Sequence, residues 1–442
     1  MVKRFRSLVL LTVVANLFCT GCKKNNVDSL LTNTDISNVI SQMTELMVHD
    51  VTNPPLAARF FSYACLSGYE VVSQNNGSFK SMQGIINDYP ALAKPDSIKG
   101  YSPKLSALLA MLETAKKMQP SGKLLDDFEK HFLDSIGKAG VDDEIVEQSK
   151  KYAIAVSKKI LAYAKNDRYN KISNYPRYTP SNFDGSWYPT PPAFIAAIEP
   201  YFKTVRPFTL DTCIQFMPPP PVAFSKEKGS DFYKQMLLNY KDTLTEEHQN
   251  IAAFWDCNPF AVQDNGHLMV GLKKISPGAH WLGITGIACK KENKSFEQTM
   301  LIYTTVSIGL MDGFICCWDE KYRSNRIRPE TAIRKYIDAT WSPLIQTPPF
   351  PEYLSGHSVI SASSATILTH FFGDGYSYTD TVENRYGLQP RTFKSFQQAA
   401  VEAGLSRFHG GIHFMDAIDN GRAQGLKVGD WVLNKLKKRQ VI

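Results

Sequence analysis

Apolar residues recur at intervals of three and four along much of this chain, which is the spacing of one face of an α-helix. The pattern is clearest in DISNVISQMTELMVHDV, at residues 35–51, and in DEIVEQSKKYAIAVSKKILAYAK, at residues 143–165. The alternation that is typical of a half-buried β-strand is scarce. We therefore predict successive amphipathic helices from about Thr34 to Lys165, and helices again from about Ser230 to the end.

A stretch rich in proline and aromatic residues separates these helical regions and contains YPRYTPSNFDGSWYPTPPAF and QFMPPPPVAF. Proline has a fixed φ and no backbone N–H, so this composition suits neither helices nor central strands. We predict an all-α fold of helical bundles with long proline- and aromatic-rich connecting loops. The predicted divisions are a leader at 1–22, an N-terminal helical region at 23–180, which starts with a polar tether at 23–32, and a site-bearing helical domain at 181–442.

The first 22 residues, MVKRFRSLVLLTVVANLFCTGC, have the pattern of an export leader. A basic start precedes an apolar run that is too short to span a bilayer, and small residues follow it. The ending CTGC resembles a bacterial lipoprotein signal with Cys22 as the lipidated residue, although Cys19 stands where such signals usually carry leucine. We expect an exported protein, anchored by lipid in the bacterial cell envelope, with plain secretion as the alternative.

Charge and cysteine content exclude some classes of function. The net charge is +8, but basic residues crowd both ends of the chain, so the body is near neutral and nucleic-acid binding gains little support. Only Cys19 and Cys22 have a CxxC spacing, and both lie in the leader, so the cysteine spacing gives no zinc signature. An exported protein could form disulfides among the other six cysteines, but their pairing cannot be read from the sequence.

Three polar clusters in the last third of the chain carry candidate chemistry, and the first is CWDEKYRSNRIRPE at residues 317–330. It follows a long apolar run that predicts a buried helix, which should end with Arg328 just past it, because Pro329 biases Arg328 out of the helical region. Lys321 and Arg328 lie two helical turns apart and are expected to face an anion, whereas Arg323 and Arg326 are expected to face solvent. Taken alone, the cluster fits a solvated helix end better than an anion site.

The second cluster is FPEYLSGHSVISASSATILTHFF, at residues 350–372. Ser355 is expected to cap the N-terminus of a helix, Gly356 allows close approach to the backbone, and His357 stands in the first turn. The N-terminus of a helix attracts anions through its free N–H groups. An ordinary capped helix with a surface histidine explains this segment equally well.

The third cluster is LSRFHGGIHFMD, at residues 405–416. A helix is expected to deliver Arg407, the two glycines end it, and His413 opens the C-terminal helix, so that Arg407 and His413 converge. His409 is expected to be a structural or exposed bystander. Together the clusters offer cations for a tetrahedral oxyanion, His413 as nucleophile or ligand, and His357 as acid or base.

The order K-x6-RP, SGH and SR-x5-H resembles the three-part signature of the superfamily of type-2 phosphatidic acid phosphatases and vanadium haloperoxidases. The resemblance implies paired helical bundles. It also implies that His413 bonds to vanadium or phosphorus and that His357 is the acid/base. The same resemblance implies that Lys321 polarises the reacting oxygen. The oxyanion oxygens would be held by Lys321, Arg328, Ser355, Gly356 and Arg407.

Other features resemble the haloperoxidase branch, and in particular bacterial secreted haloperoxidase-like proteins. Trp318 matches an aromatic position of haloperoxidases, and Phe350 in FPEY resembles the FPxYPSGH form of fungal chloroperoxidases. The resemblance implies vanadate as cofactor and hydrogen peroxide and halide as substrates. A phosphatase that hydrolyses phosphate monoesters through a phosphohistidine, without a cofactor, is the alternative, and a non-catalytic phosphate-binding lipoprotein is a third hypothesis.

The sequence departs from the family pattern at two places. Leu354 stands where the family has the proline of PSGH. The family often has an aspartate four residues after the histidine of SR-x5-H, where this chain has Ala417, flanked by Asp416 and Asp419. The carboxylate that would orient His413 is therefore left open. The sequence also leaves the halide and the oligomeric state open.

Overall fold

The computed structural model of the chain describes residues 26–264 and 266–442. The predicted leader, with the lipidation site at Cys22, lies outside the described residues, so the lipoprotein signal and the envelope location stay predictions. The division of the chain at residue 180 likewise stays a prediction.

Helices dominate the described residues, and the prediction of an all-α fold is confirmed. The helices are α1 Val27–Leu30, α2 Asn33–His49, α3 Pro54–Asn75, α4 Pro103–Met118, α5 Leu125–Lys138, α6 Asp143–Lys165, α7 Asp231–Tyr240, α8 Glu246–Phe254, α9 Pro277–Lys291, α10 Phe296–Ser324, α11 Pro329–Tyr336, α12 Gly356–Phe372, α13 Phe396–His409 and α14 Met415–Lys438. Short 3-10 turns cover Gly122–Leu124, Tyr169–Asn174, Phe202–Thr204 and Val382–Tyr386.

The strands form two small antiparallel hairpins at the edge of the helical body. β1 Val262–Asp264 pairs with β2 Met269–Gly271, with Val262 opposite Gly271. β3 Tyr378–Asp380 pairs with β4 Arg391–Phe393, with Tyr378 opposite Phe393. Each strand has only three residues, so neither hairpin builds the core.

Helix α10 is the central element of the core. Its residues from Thr299 to Lys321 are all buried, against α3 on one side and α12 on the other. Side-chain hydroxyls join the helices closely: Oγ of Ser62 in α3 donates to the carbonyl of Ser307, at 2.7 Å. Helix α10 has the length and apolar composition of a membrane span, but its apolar window is entirely buried inside this fold.

The start of the described chain and its cysteines are buried more deeply in the fold than a tether would be. The prediction of a polar tether is wrong for residues 27–31, because α1 forms at Val27–Leu30 and both Val27 and Leu31 are buried in the core. Cys316 and Cys317 pack inside α10. All six cysteines of the described residues are free thiols.

The proline- and aromatic-rich stretch forms an irregular connection between residues 175 and 230, as predicted, apart from one 3-10 turn. This connection is held against the C-terminal end of α10. The backbone N–H of Trp187 donates to the carbonyl of Asn325, at 2.9 Å, and Nε1 of Trp318 donates to the carbonyl of Ile198, at 3.2 Å. The long loop therefore covers the region where α10 delivers its cationic residues.

Candidate functional site

Five helix ends meet around one buried region. Helix α10 ends at Ser324 because Asn325 adopts a left-handed backbone, with φ of 47°. The helix is thus three residues shorter than the sequence predicts, and Arg328 becomes the N-cap of α11, in extended conformation before its proline. The starts of α12 and α14 and the end of α13 supply the other residues.

These ends enclose a cavity that most of the predicted site residues line. The predicted residues on its wall are Trp318, Phe350, Gly356, His357, Arg407 and His413. Lys321, Arg328 and Ser355 are fully buried next to this wall. The structure therefore brings all three clusters together, although residues of the first and third, such as Arg326 and Asp416, are 90 residues apart along the chain.

His413 is held in one orientation by a carboxylate. Its Nδ1–H donates to Oε1 of Glu352, at 2.8 Å, and the same oxygen accepts the backbone N–H of Phe414, at 3.0 Å. Because Nδ1 carries the proton, Nε2 keeps its lone pair. Burial, and then the charges of Arg328 and Lys321, hold the pKa of His413 well below its usual range. The imidazole is therefore neutral at pH 7 and able to act as a ligand or nucleophile.

Arg328 presents its guanidinium to His413. Nη1 of Arg328 lies 3.0 Å from Nε2 of His413 and also donates to the carbonyl of Ile412, at 2.9 Å. Nε of Arg328 donates to the carbonyl of Phe350, at 2.9 Å. Nη2 is buried and has no hydrogen-bond partner among the described residues. A buried guanidinium N–H without an acceptor is costly, so this group is suited to an anionic ligand.

Lys321 and Arg407 add two further buried cations. Nζ of Lys321 donates to the carbonyls of Pro351, at 3.0 Å, Glu352, at 3.1 Å, and Leu354. Burial is the main reason that the pKa of Lys321 falls to about 7. Nη2 of Arg407 donates to the carbonyl of Trp255, at 2.6 Å.

His357 stands in the first turn of α12, and Ser355 caps this helix as predicted, since its Oγ accepts the backbone N–H of Ser358, at 3.3 Å. Nε2 of His357 is buried without a hydrogen-bond partner in the described part of the chain, which disagrees with a simple surface histidine. Burial, and then the charges of Arg407 and His413, hold the pKa of His357 well below its usual range. The ring is a neutral base at pH 7.

An aromatic pair closes the side of the cavity near Lys321. The rings of Trp318 and Phe350 lie 5.0 Å apart, and Nζ of Lys321 is 5.0 Å from the centre of the Phe350 ring. These rings keep water away from the cations, which strengthens their attraction for an anion.

The prediction that Arg326 faces solvent is wrong. Its side chain is buried, at 3% exposure, and donates through Nη1 and Nη2 to both oxygens of Asp416, at 2.6 and 2.7 Å. Nε donates to Oε2 of Glu352, at 2.6 Å. Because α10 ends early, Arg326 lies in the connection and points inward. Arg323 remains partly exposed and pairs with Asp319, at 3.2 Å, and with Glu320.

Glu352 is the site residue that the sequence did not single out. Asp416 was one of the open alternatives for orienting His413, but it pairs with Arg326, and Glu352 contacts His413. The only local signal was an acidic residue within FPEY, directly before the SGH motif. The C-terminal helix also begins at Met415, two residues later than predicted.

The donor set fits a tetrahedral oxyanion such as vanadate. Lys321, Arg328 and Arg407 supply positive charge, and the described residues leave Nη2 of Arg328 without a partner. His413 supplies a neutral nitrogen with a lone pair, which can bond to the central atom. The N-terminus of α12 adds backbone N–H groups.

The chain is similar to known vanadium-dependent haloperoxidases in sequence and in structure. A family model described as the VCPO second helical-bundle domain matches residues 335–440. No curated protein matches the sequence. The chain is 41% identical to a solved structure of a bacterial vanadium-dependent iodoperoxidase, over 92% of this chain and 97% of that chain, with a TM-score of 0.86.

Two more distant structures share the fold. They are apo and holo forms of a bacterial vanadium-dependent chloroperoxidase, with 13% and 14% identity and TM-scores of 0.65 and 0.63. Each match covers 88% of this chain, and 96% and 94% of the other chains.

Proposed function

Because this chain belongs to the vanadium-dependent haloperoxidase family, we propose that its halide is iodide and that the cavity between His413 and His357 is its active site. Membership of this family supports halide oxidation by hydrogen peroxide, with vanadate as cofactor, over the phosphatase alternative. The main support for this active site is the neutral imidazole of His413, whose Nε2 keeps its lone pair beside Arg328.

Each side chain has a defined task in this proposal. Nε2 of His413 would bond to vanadium, Lys321, Arg328 and Arg407 would balance the negative charge of its oxygens, and Ser355 and the N–H of Gly356 would donate hydrogen bonds to them. When bound, vanadate supplies Lewis-acid activation of hydrogen peroxide.

His357 is the proton acceptor in this proposal. Its Nε2 has no competing partner among the described residues, so it is free to take a proton from hydrogen peroxide. Burial, and then the charge of Arg407, lower the pKa of His357 in the free protein, and an anion in the cavity offsets that charge. The imidazole therefore becomes a stronger base when the site is loaded.

Iodide is supported by the similarity to a bacterial iodoperoxidase. Iodide is also the most easily oxidised of the three common halides, so it demands the least activation of peroxide.

The test follows halogenation of a phenolic dye with iodide, bromide and chloride in parallel, with orthovanadate and peroxide present. We expect the highest kcat/KM with iodide and no turnover without vanadate. A parallel arm follows hydrolysis of an aryl phosphate without vanadate. Faster turnover of bromide would contradict the iodide proposal. Phosphate release without halogenation would contradict the proposed chemistry of the cavity itself.

Lys321 should make vanadate binding depend on pH. Its pKa of about 7 means that the free site loses one positive charge as the pH rises above 7, whereas a bound oxyanion keeps the lysine protonated. Vanadate affinity should therefore fall by up to about tenfold for each pH unit above 7. Fluorescence titrations between pH 6 and 9 would measure the affinity.

The matched control for this prediction is Lys321→Met. Vanadate changes its own protonation in this range, but it does so equally for both proteins, so the difference between the two slopes isolates the lysine. Equal slopes for the wild type and the variant would show that Lys321 does not titrate in this range.

A further inference from the structure

A second group of reactive side chains adjoins the active-site cavity, and one of its members, Cys257, is part of the cavity wall. Cys257 follows α8, His280 lies in α9, Asp380 ends β3, and Glu383 lies in the 3-10 turn that comes next. All four residues are buried. Sγ of Cys257 is 3.5 Å from Nδ1 of His280 and 3.7 Å from Oε1 of Glu383, and these two partner atoms are 3.2 Å apart.

These separations match the edges of a tetrahedron around a zinc ion. Bonds of about 2.3 Å to sulfur and about 2.0–2.1 Å to nitrogen or oxygen place neighbouring ligand atoms about 3.3–3.6 Å apart. A thiolate, an imidazole and a carboxylate are also a ligand set that zinc accepts. The geometry of Cys257, His280 and Glu383 therefore suits one zinc ion.

Asp380 orients the histidine of this group. Nε2 of His280 lies 2.8 Å from Oδ2 of Asp380, and Oδ1 accepts the backbone N–H of Val382, at 3.0 Å. Histidines that bind a metal usually donate their other ring N–H to a carboxylate, which fixes the ring and its tautomer. With Nε2 engaged in this way, Nδ1 is the nitrogen left to bind a metal beside Cys257 and Glu383.

Zinc would leave the net charge of the group unchanged. Without a metal, both ring nitrogens of His280 face carboxylates and carry protons, so a cation lies between Asp380 and Glu383 beside the neutral thiol of Cys257. Zinc would displace two protons, one from Nδ1 of His280 and one from the thiol. The divalent ion replaces two positive charges, so its burial adds no net charge to the interior.

We propose that Cys257, His280 and Glu383 bind one zinc ion, with a fourth position left for water. The ion would brace the wall of the active-site cavity. The ring of Trp255 stacks on His280, with 4.6 Å between centroids, and the carbonyl of Trp255 accepts the hydrogen bond from Arg407. Glu383 also borders a surface cavity, so this ligand lies on the side of the group nearest to solvent.

Cobalt is the probe for this proposal, because Co²⁺ bound to a thiolate shows a near-ultraviolet charge-transfer band. The protein, purified without an oligohistidine tag and stripped by a chelator, is titrated with Co²⁺ and then with Zn²⁺. We expect one equivalent of Co²⁺ to produce the band and Zn²⁺ to remove it. Absence of the band in the wild-type protein would overturn the proposal, and the four side chains would then be a hydrogen-bonded cluster.

Variants assign the band to its residues. Cys257→Ala should lose it, and Cys289→Ala, which removes a buried thiol from the same helix as His280, should keep it. Asp380→Asn should keep the band but weaken cobalt affinity about 10–100-fold. A band that survives in Cys257→Ala belongs to another thiol and would overturn the assignment.

Within the described part of the chain, one other group could bind cobalt in this experiment. It consists of Asp242, His248 and His409, which are partly exposed and contain no sulfur. His248→Ala removes one of its ligands and should leave the charge-transfer band unchanged. Loss of the band in this variant would contradict the proposed ligands.

Discussion

Replacing His413 with alanine should reduce halogenation by at least about 1,000-fold, to the rate of free vanadate and peroxide. The imidazole of His413 is neutral, and the lone pair of its Nε2 points toward Arg328. Its Nδ1–H donates to Glu352, which fixes the orientation of the ring. The variant retains Lys321, Arg328 and Arg407, so oxyanions should still enter the site by charge. We therefore expect a larger loss in kcat than in the affinity for vanadate, measured by steady-state kinetics and by fluorescence titration.

His409→Ala is the matched control for this prediction. His409 lies four residues earlier in the same motif, but it pairs with Asp242, at 3.0 Å, and stacks on His248, so the variant should keep most of its activity. Its position agrees with the expected structural role. Halogenation by His413→Ala within about tenfold of the wild-type rate would show that another group bonds to vanadium.

The helices could be predicted from the sequence for physical reasons. Amphipathic periodicity reports which face of a helix is buried, and helices such as α2 and α6 follow it closely. The caps are also local signals, and Ser355 caps α12 as expected. The convergence of clusters far apart in sequence rested on the family resemblance, because periodicity does not specify tertiary contacts.

The burial of Arg326 shows that local sequence patterns do not reveal contacts with residues far along the chain. A run of cations after an apolar helix usually lies in solvent, and this pattern favoured exposure. Burial of Arg326 depends on two carboxylates, Glu352 and Asp416, which lie 26 and 90 residues further along the chain. Only the fold brings these charges together, so sequence spacing alone gives no sign of the pair.

The proposed zinc ligands were missed for the same reason. Cysteine spacing detects metal sites whose ligands lie a few residues apart. Cys257 and His280 are 23 residues apart, and Cys257 and Glu383 are 126 apart. Each ligand sits on a different element, so no short motif links them.

Glu352→Gln should weaken vanadate binding about 10–100-fold, because the carboxylate that accepts the Nδ1–H of His413 raises the basicity of the ligand nitrogen. The substitution also removes a negative charge from a cationic cavity, and this change by itself would strengthen the binding of every oxyanion. The two effects have opposite signs. They can be separated by titrating the same variant with sulfate, which forms no bond to the imidazole.

We expect vanadate affinity to fall in Glu352→Gln while sulfate affinity stays constant or rises. Asp416→Asn is the matched control, because Asp416 is the other carboxylate that pairs with Arg326 and it does not contact His413. Vanadate affinity of this variant should stay within about threefold of the wild-type value. Equal weakening of vanadate and sulfate in Glu352→Gln would assign Glu352 to the packing of the loop. Weakening of vanadate alone would identify it as the residue that tunes His413 as a ligand.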